Sequence, residues 1–134
     1  MKTAICFIAL ALLSNSTLAA SDIDAAKTAA LQWLGELDAG HYAATWTEAS
    51  PLFQQRVPEK KWINAVSEVM ASLGKLKVRN FKRAIRKQHL PGAPNGNYIV
   101  VQFSSTFAHR PNAIETVTPM LSDGKWKVSG YYVR

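Results

Sequence analysis

The strongest candidate for chemistry is a group of seven basic side chains just past the middle of the chain. The seven residues are Lys75, Lys77, Arg79, Lys82, Arg83, Arg86 and Lys87, and no acidic residue lies between them. On a strand, Lys75, Lys77 and Arg79 would project from one face about 6.5 to 7 Å apart, with Leu76 and Val78 packed inward. Such a ladder suits successive phosphate or sulfate groups, so we predict an anion-binding strand. The alternative is a charged edge that only prevents pairing with other chains.

Four aromatic side chains of the first half form a second candidate site. They are Trp33, Tyr42, Trp46 and Trp62. We expect them to come from three helices and to converge over a sheet, either as plain core or as a pocket for a lipid or small hydrophobic ligand. An acid–base enzyme would also need a proton-transferring pair, and the sequence offers Asp38 with His41, or Glu115 with His109.

Other reaction classes have little support in the sequence. The three histidines are far apart, no His-x-x-x-His spacing or acidic cluster occurs, and Gly-x-Ser-x-Gly is absent. We therefore assign no catalytic residue and expect neither a metal nor a cofactor.

The N-terminal residues predict where in or outside the cell the protein is located. Lys2 precedes an apolar run from Ala4 to Leu13 and then small residues, which is typical of a secretory signal peptide. A membrane-spanning helix would need roughly 20 apolar residues, and this run supplies ten. We predict cleavage near Ala19 or Ala20, which makes residues 1–20 a leader and 21–134 a single domain, periplasmic or extracellular, without a transmembrane segment.

The net charge indicates which classes of binding partner to expect. The predicted leader takes with it Lys2 and the single cysteine, so the exported part carries 15 Lys and Arg against 9 Asp and Glu, a formal charge of +6. That charge favours anionic partners, which for an exported protein means phospholipid head groups, lipopolysaccharide, acidic glycans or an envelope protein. Nucleic acid is not expected, since only Phe81 interleaves an aromatic ring with the basic segment.

Hydrophobic periodicity predicts the elements that would position these residues. We predict helices over residues 22–39 and 41–49 and from Pro58 to Gly74, because apolar residues recur there at helical spacing. Strands follow over residues 75–87, with a bulge near Asn80, and over 97–108, 113–121 and 125–134. Asp123-Gly124 predicts a tight hairpin between the last two strands, and Tyr132 is expected to face the same way as Trp126 and Val128.

Three helices followed by four strands predict an α+β fold, with the helices packed on one face of a curved four-stranded antiparallel sheet. Several stretches taken together also resemble a known family: residues 30–46, Trp62, residues 90–107, residues 115–117 and residues 124–132. In order and spacing they are similar to the secreted bacterial domain-of-unknown-function family 4019 (DUF4019). The resemblance implies a cystatin-like or nuclear-transport-factor-like (NTF2-like) cone and brings no known activity. Pro119 departs from it and indicates an edge or bulged position.

The sequence therefore predicts a small exported, non-enzymatic binding protein of the cell envelope that contacts anionic ligands through its basic strand. One alternative is an inhibitor or immunity-type protein that binds an envelope-degrading enzyme. The other is a small-molecule or lipid pocket protein, or an enzyme, of the nuclear-transport-factor-like type. Oligomeric state is left open.

Overall fold

The computed structural model describes residues 14–134 of the chain. Residues 1–13, which hold most of the predicted leader, lie outside the described residues, so the signal peptide and its cleavage site stay predictions. Among the described helices, none is both long enough and apolar enough to cross a membrane.

Four helices occupy the first half of the described chain: α1 Ser14–Asp38, α2 Tyr42–Glu48, α3 Pro51–Arg56 and α4 Glu59–Leu73. α1 already includes Ser14, the first described residue, whereas the helix was predicted from residue 22; the residues between them contain no proline or glycine that would break a helix. The short helix α3 was not predicted. Ser50 caps it, its hydroxyl accepting a hydrogen bond from the Phe53 N–H at 3.2 Å, and Pro51 occupies the first turn.

Four antiparallel strands follow: β1 Leu76–Lys87, β2 Tyr98–Phe107, β3 Arg110–Ser122 and β4 Lys125–Val133. They form one open sheet in the order β1-β2-β3-β4. The predicted Asp123-Gly124 hairpin is confirmed, since both residues have positive φ, 48° and 76°, as a tight two-residue turn requires.

The sheet has four register irregularities, and three of them decide which way the side chains discussed below point. In β1 they lie between Leu76 and Val78 and between Phe81 and Arg83, on either side of the predicted bulge near Asn80. The third lies where β3 and β4 pair, and it includes Pro119, so the bulged alternative for this proline is correct and the edge alternative is wrong. Each extra residue shifts the following side chains to the opposite face of the strand.

The helices pack on one face of the sheet. The core joins helical residues such as Leu34 and Val66 to the strand residues Ile99, Val101 and Val117. The arrangement confirms the predicted α+β class, while the cone-shaped layout stays a prediction. We call the other side of the sheet the open face; Val78, Ile85 and Tyr132 are exposed there. Three residues of this face are nevertheless buried. The hydroxyl of Tyr98 donates to Pro94 O in the preceding loop at 2.6 Å, and Gln102 donates through Nε2 to the Thr116 hydroxyl at 3.1 Å.

Candidate functional site

Arg79, the central member of the predicted ladder, points into the interior. It lies opposite Ser105 of β2, on the face that the helices cover. Its Nη1 and Nη2 donate to the two Asp38 oxygens at 2.6 and 3.0 Å, at the end of α1. Its Nε and Nη2 donate to the two Glu115 oxygens on β3, at 2.7 and 3.1 Å. One guanidinium therefore ties a helix to two strands through two carboxylates.

Glu115 is fully buried, and its hydrogen-bonding capacity is saturated. Besides Arg79, its oxygens accept hydrogen bonds from the Ser105 hydroxyl at 2.5 Å and from the Tyr131 hydroxyl at 2.7 Å. A buried carboxylate is tolerated when it is paired and its lone pairs are occupied, and both conditions hold here. We call Asp38, Arg79, Ser105, Glu115 and Tyr131 the buried network.

The buried network shifts the acid–base behaviour of two of its members in the same direction. Burial raises the pKa of Tyr131, and the negative charge of Glu115 raises it further. Burial by itself lowers the pKa of Arg79, but the hydrogen bonds to Asp38 and Glu115 outweigh that effect and hold it above its ordinary value. Arg79 thus stays charged and Tyr131 stays a neutral donor, which suits a structural cluster more than proton transfer.

The prediction that Lys75, Lys77 and Arg79 share one exposed face is therefore wrong. The irregularity after Leu76 changes the alternation, so Arg79 faces the helices while Val78, expected inside, is 50% exposed on the open face. Arg79 is occupied by two carboxylates and cannot serve as an anion-binding donor without breaking the fold.

The other six basic residues divide into two groups. Arg86 donates to Asp22 of α1 at 2.9 Å, and Arg83 donates through Nε to the Gln102 side chain at 2.7 Å, which leaves its terminal nitrogens available. The remaining four are exposed and make no salt bridge with any acid among the described residues: Lys75, Lys77, Lys82 and Lys87. Whether these residues bind an anion stays a prediction.

Charge is segregated between the two layers of the fold, a feature that the sequence analysis missed. Residues 14–74, which form the helices, carry seven acidic and four basic side chains, a formal charge of −3. Residues 75–134 carry two acidic and eleven basic side chains, a formal charge of +9. Counting charges in the two halves would have revealed the imbalance, but only the topology places it on opposite layers.

The open face itself carries positive charge alone. Register assigns Arg83, Lys87 and Lys127 to it, opposite Gln102, Tyr98 and Met120. Arg134 joins them beside Ile114, with which it exchanges two backbone hydrogen bonds. The four strands contain a single acid, Glu115, and it points to the other face. An approaching anion would therefore meet basic side chains on this face and no acidic side chain of the strands.

The aromatic set is packed into the core by its own hydrogen bonds. The indole N–H groups of Trp33 and Trp62 donate to the backbone oxygen and the hydroxyl of Thr45, at 2.8 and 2.9 Å. Trp46 donates to Val57 O at 2.7 Å. Trp33 and Trp62 are 3% and 8% exposed, with ring centroids 5.9 Å apart. The indole N–H groups of all three tryptophans thus donate to oxygen atoms of the protein itself.

Three of the same residues border surface depressions of the described chain, and each borders a different one. Trp33 borders a depression of about 350 Å³ between α1 and β4, and Trp62 borders one of about 220 Å³ between α4 and β4. Tyr42 borders a third, of about 290 Å³, near Asp38 and Lys75. The geometry favours core packing, and whether Trp33, Tyr42, Trp46 and Trp62 bind a ligand stays a prediction.

Neither predicted acid–base pair forms. His41 contacts Glu36, with Nδ1 2.8 Å from Oε2, while Asp38 is held by Arg79. Glu115 is enclosed in the buried network, and no hydrogen bond or salt bridge among the described residues joins it to His109. Within residues 14–134 no three metal-ligating side chains cluster to form a metal site.

Comparison with known proteins adds a family to this geometry. The model of the family described as "Protein of unknown function (DUF4019)" matches residues 29–131, most of the chain. The chain belongs to this family. The predicted family membership is thereby confirmed, and the match covers α2, α3, α4 and the first three strands completely, together with the second part of α1 and most of β4. No curated protein matches the chain.

Proposed function

We propose that this DUF4019 protein is exported to the cell envelope and binds a phosphate-bearing anionic surface there, without catalysing a reaction. The observation that carries the proposal is the distribution of charge on the sheet. Basic side chains are the only charged groups on the open face, and the one acid of the strands is buried on the opposite face.

The two layers would also orient the protein. A helical layer of −3 and a sheet half of +9 give the molecule a strong charge asymmetry. Such an asymmetry turns a protein during diffusional approach so that its basic side meets an anionic partner. The open face would therefore reach the surface first, with the helices directed away.

The open face also carries apolar side chains beside its basic ones. Val78 and Ile85 are exposed there, and Ile85 lies between Arg83 and Lys87 on β1. Lipid head groups present phosphates above an apolar region, and that mixture matches this combination better than a fully hydrated polyanion does. We therefore take an anionic lipid surface as the source of the phosphate, with soluble polyphosphate as the comparison.

The edge of β1 would add to the contact. Lys75, Lys77 and Lys82 are exposed along it, and the register irregularities leave Lys77 and Lys82 without a paired residue on β2. Three of the anion-binding residues predicted from the sequence thus remain part of the proposed contact, whereas Arg79 does not.

The test is binding to phosphatidylcholine vesicles with and without about one third phosphatidylglycerol, by sedimentation at increasing salt. The test variant is Arg83→Glu/Lys87→Glu/Lys127→Glu, and the control is Arg56→Glu/Lys60→Glu/Lys61→Glu. The control makes the same change in net charge at exposed positions in α3 and α4. Each base near an anionic surface contributes about 1 kcal/mol, so the test variant should bind at least about tenfold more weakly.

The control variant should lose much less binding, because its charges lie on the opposite layer and salt screens them over about 10 Å. Equal losses in both variants would mean that net charge alone drives binding and would overturn the assignment to the open face. Binding to inorganic polyphosphate but not to vesicles would retain the phosphate chemistry and exclude the lipid source.

A further inference from the structure

The two edges of the sheet differ in their protection against pairing with another strand. β1 carries six basic side chains, of which only Arg79 is held in the interior, and two register irregularities; both features are usual devices that block edge-to-edge pairing. β4 has no charged residue from Val128 to Val133. The β1 edge is therefore protected against pairing with another strand, and this part of the β4 edge is not.

The backbone of β4 offers hydrogen-bonding groups along this unprotected edge. Arg134 and Ile114 exchange two backbone hydrogen bonds, of 3.1 and 2.9 Å, which sets the alternation along the strand. Tyr132, two residues earlier, therefore also turns its N–H and C=O toward β3, while Tyr131 and Val133 turn theirs outward. Neither of these two has an outward backbone partner among the described residues, whereas Val128 O already accepts from Ser50 N–H at 2.8 Å.

An apolar depression of about 220 Å³ lies beside the same segment. Its lining comes from α4 and the end of β4, and includes Ala65, Val66 and Val69 together with Val133. Val69 and Tyr132 are among the exposed large hydrophobic residues of the chain, at 37% and 55%. Unpaired strand groups next to exposed apolar side chains are the features of a surface that accepts another strand.

We propose that β4 pairs antiparallel with β4 of a second copy of this chain. The outward groups of Tyr131 would bond those of Val133 of the partner subunit, and the reverse, so the register is self-complementary about a two-fold axis. Tyr132 would then face Tyr132 of the partner subunit across that axis as a non-hydrogen-bonded pair, in which side chains approach closely. The two apolar depressions would meet on the helical side of the joint.

Charge favours a second copy as the occupant of this edge. The segment that would pair is neutral, and the basic β1 strands would lie at the two far ends of the joined eight-stranded sheet. Because a two-fold axis through paired antiparallel strands is perpendicular to the sheet, both open faces would point the same way. The dimer would present twice the basic surface to one partner, which raises avidity without a new contact. The pairing itself does not depend on the proposed function.

The first test is sedimentation equilibrium of the purified protein. We expect a particle of twice the chain mass at about 100 μM, with a dissociation constant in the micromolar range. Tyr132→Lys places two ammonium groups opposite each other at the axis and should weaken the dimer at least about tenfold. Val78→Lys, the same change at a similarly exposed residue of the protected edge, should leave it unchanged.

A second measurement does not depend on affinity. In a chain with Cys6→Ser, Tyr132→Cys should form an intermolecular disulfide under mild oxidation, because directly opposed Cβ atoms in such a pair lie about 4.5 to 5.5 Å apart. Val78→Cys should stay monomeric on the same non-reducing gel. A wild-type protein that is monomeric at about 100 μM would overturn the proposal and leave the edge to a strand of another protein. A dimer that Tyr132→Lys and Val78→Lys affect equally would overturn it as well.

Discussion

Replacing Glu115 by glutamine should destabilise the protein strongly, although the change is nearly isosteric. One Glu115 oxygen accepts from Arg79 Nε and Ser105 Oγ, and the other accepts from Arg79 Nη2 and the Tyr131 hydroxyl. Whichever way the amide turns, its NH₂ group would face two donors in a site with no solvent access. Breaking a buried ion pair costs about 3–5 kcal/mol, and we expect about 3 because Arg79 keeps Asp38.

For a domain of this size, about 3 kcal/mol corresponds to a fall in Tm of roughly 10–15 °C. Urea unfolding followed by tryptophan fluorescence gives the free energy directly. Asp38→Asn is the matched control, since that carboxylate is partly solvated and its loss should cost about 1 kcal/mol. A Glu115→Gln protein within about 0.5 kcal/mol of wild type would refute the structural role of the buried network.

A double-mutant cycle tests whether Arg79 and Glu115 stabilise the protein as a pair. Arg79→Met alone leaves the Glu115 charge buried without its cation, so it should be less stable than the double variant Arg79→Met/Glu115→Gln. A double variant that is less stable than Arg79→Met would show that the two side chains do not act as a pair.

Three further outcomes follow from the structure. Because the pKa of Tyr131 is raised, its contribution to stability is complete below the ordinary tyrosine pKa of 10.0 and is lost as pH rises above that value. Tyr131→Phe should therefore reduce the fall in unfolding free energy at alkaline pH. A fall as steep as in the wild type would contradict this. Gly124→Ala should cost about 1 kcal/mol in thermal unfolding because φ is 76° in the hairpin, and a stabilised variant would contradict the turn. Mass spectrometry of the exported protein should find a new N-terminus at Ala20 or Ser21, and an intact leader would refute the predicted cleavage.

Element order and hairpin position were predictable because local patterns determine them. Apolar residues at helical spacing predicted α1, α2 and α4, and Asp123-Gly124 predicted the β3–β4 turn. The same kind of information was present for α3, since Ser50-Pro51 suits an N-cap and first turn; we interpreted it as the end of the preceding helix.

The faces of the strands were not predictable, because one inserted residue reverses every side chain beyond it. The irregularity near Lys77 turned Arg79 inward and Val78 outward. The irregularity in the β3–β4 pairing did the same in β4, where Tyr131 reaches Glu115 and Tyr132 is exposed, contrary to the expectation that Tyr132 shares a face with Val128.

The buried network could not be predicted from local sequence at all. Its two carboxylates lie 41 and 36 residues from Arg79 along the chain, so nothing near any of them indicates the partner. The sequence showed seven basic residues between positions 75 and 87 with no acid among them. The structure shows that one of them pairs with Glu115, the only acid of the strands, on the side that the helices cover, so that no strand acid lies on the open face.

The most direct test of the central claim is which face of the protein contacts an anionic surface. An environment-sensitive fluorophore can be attached, in a Cys6→Ser chain, at Val78→Cys on the open face or at Leu31→Cys on the helical layer, positions that are 50% and 42% exposed. On binding to phosphatidylglycerol-containing vesicles, we predict a blue-shifted, brighter emission from the label at position 78 and little change from the label at position 31. Equal changes at both positions, or a change at position 31 alone, would contradict the account.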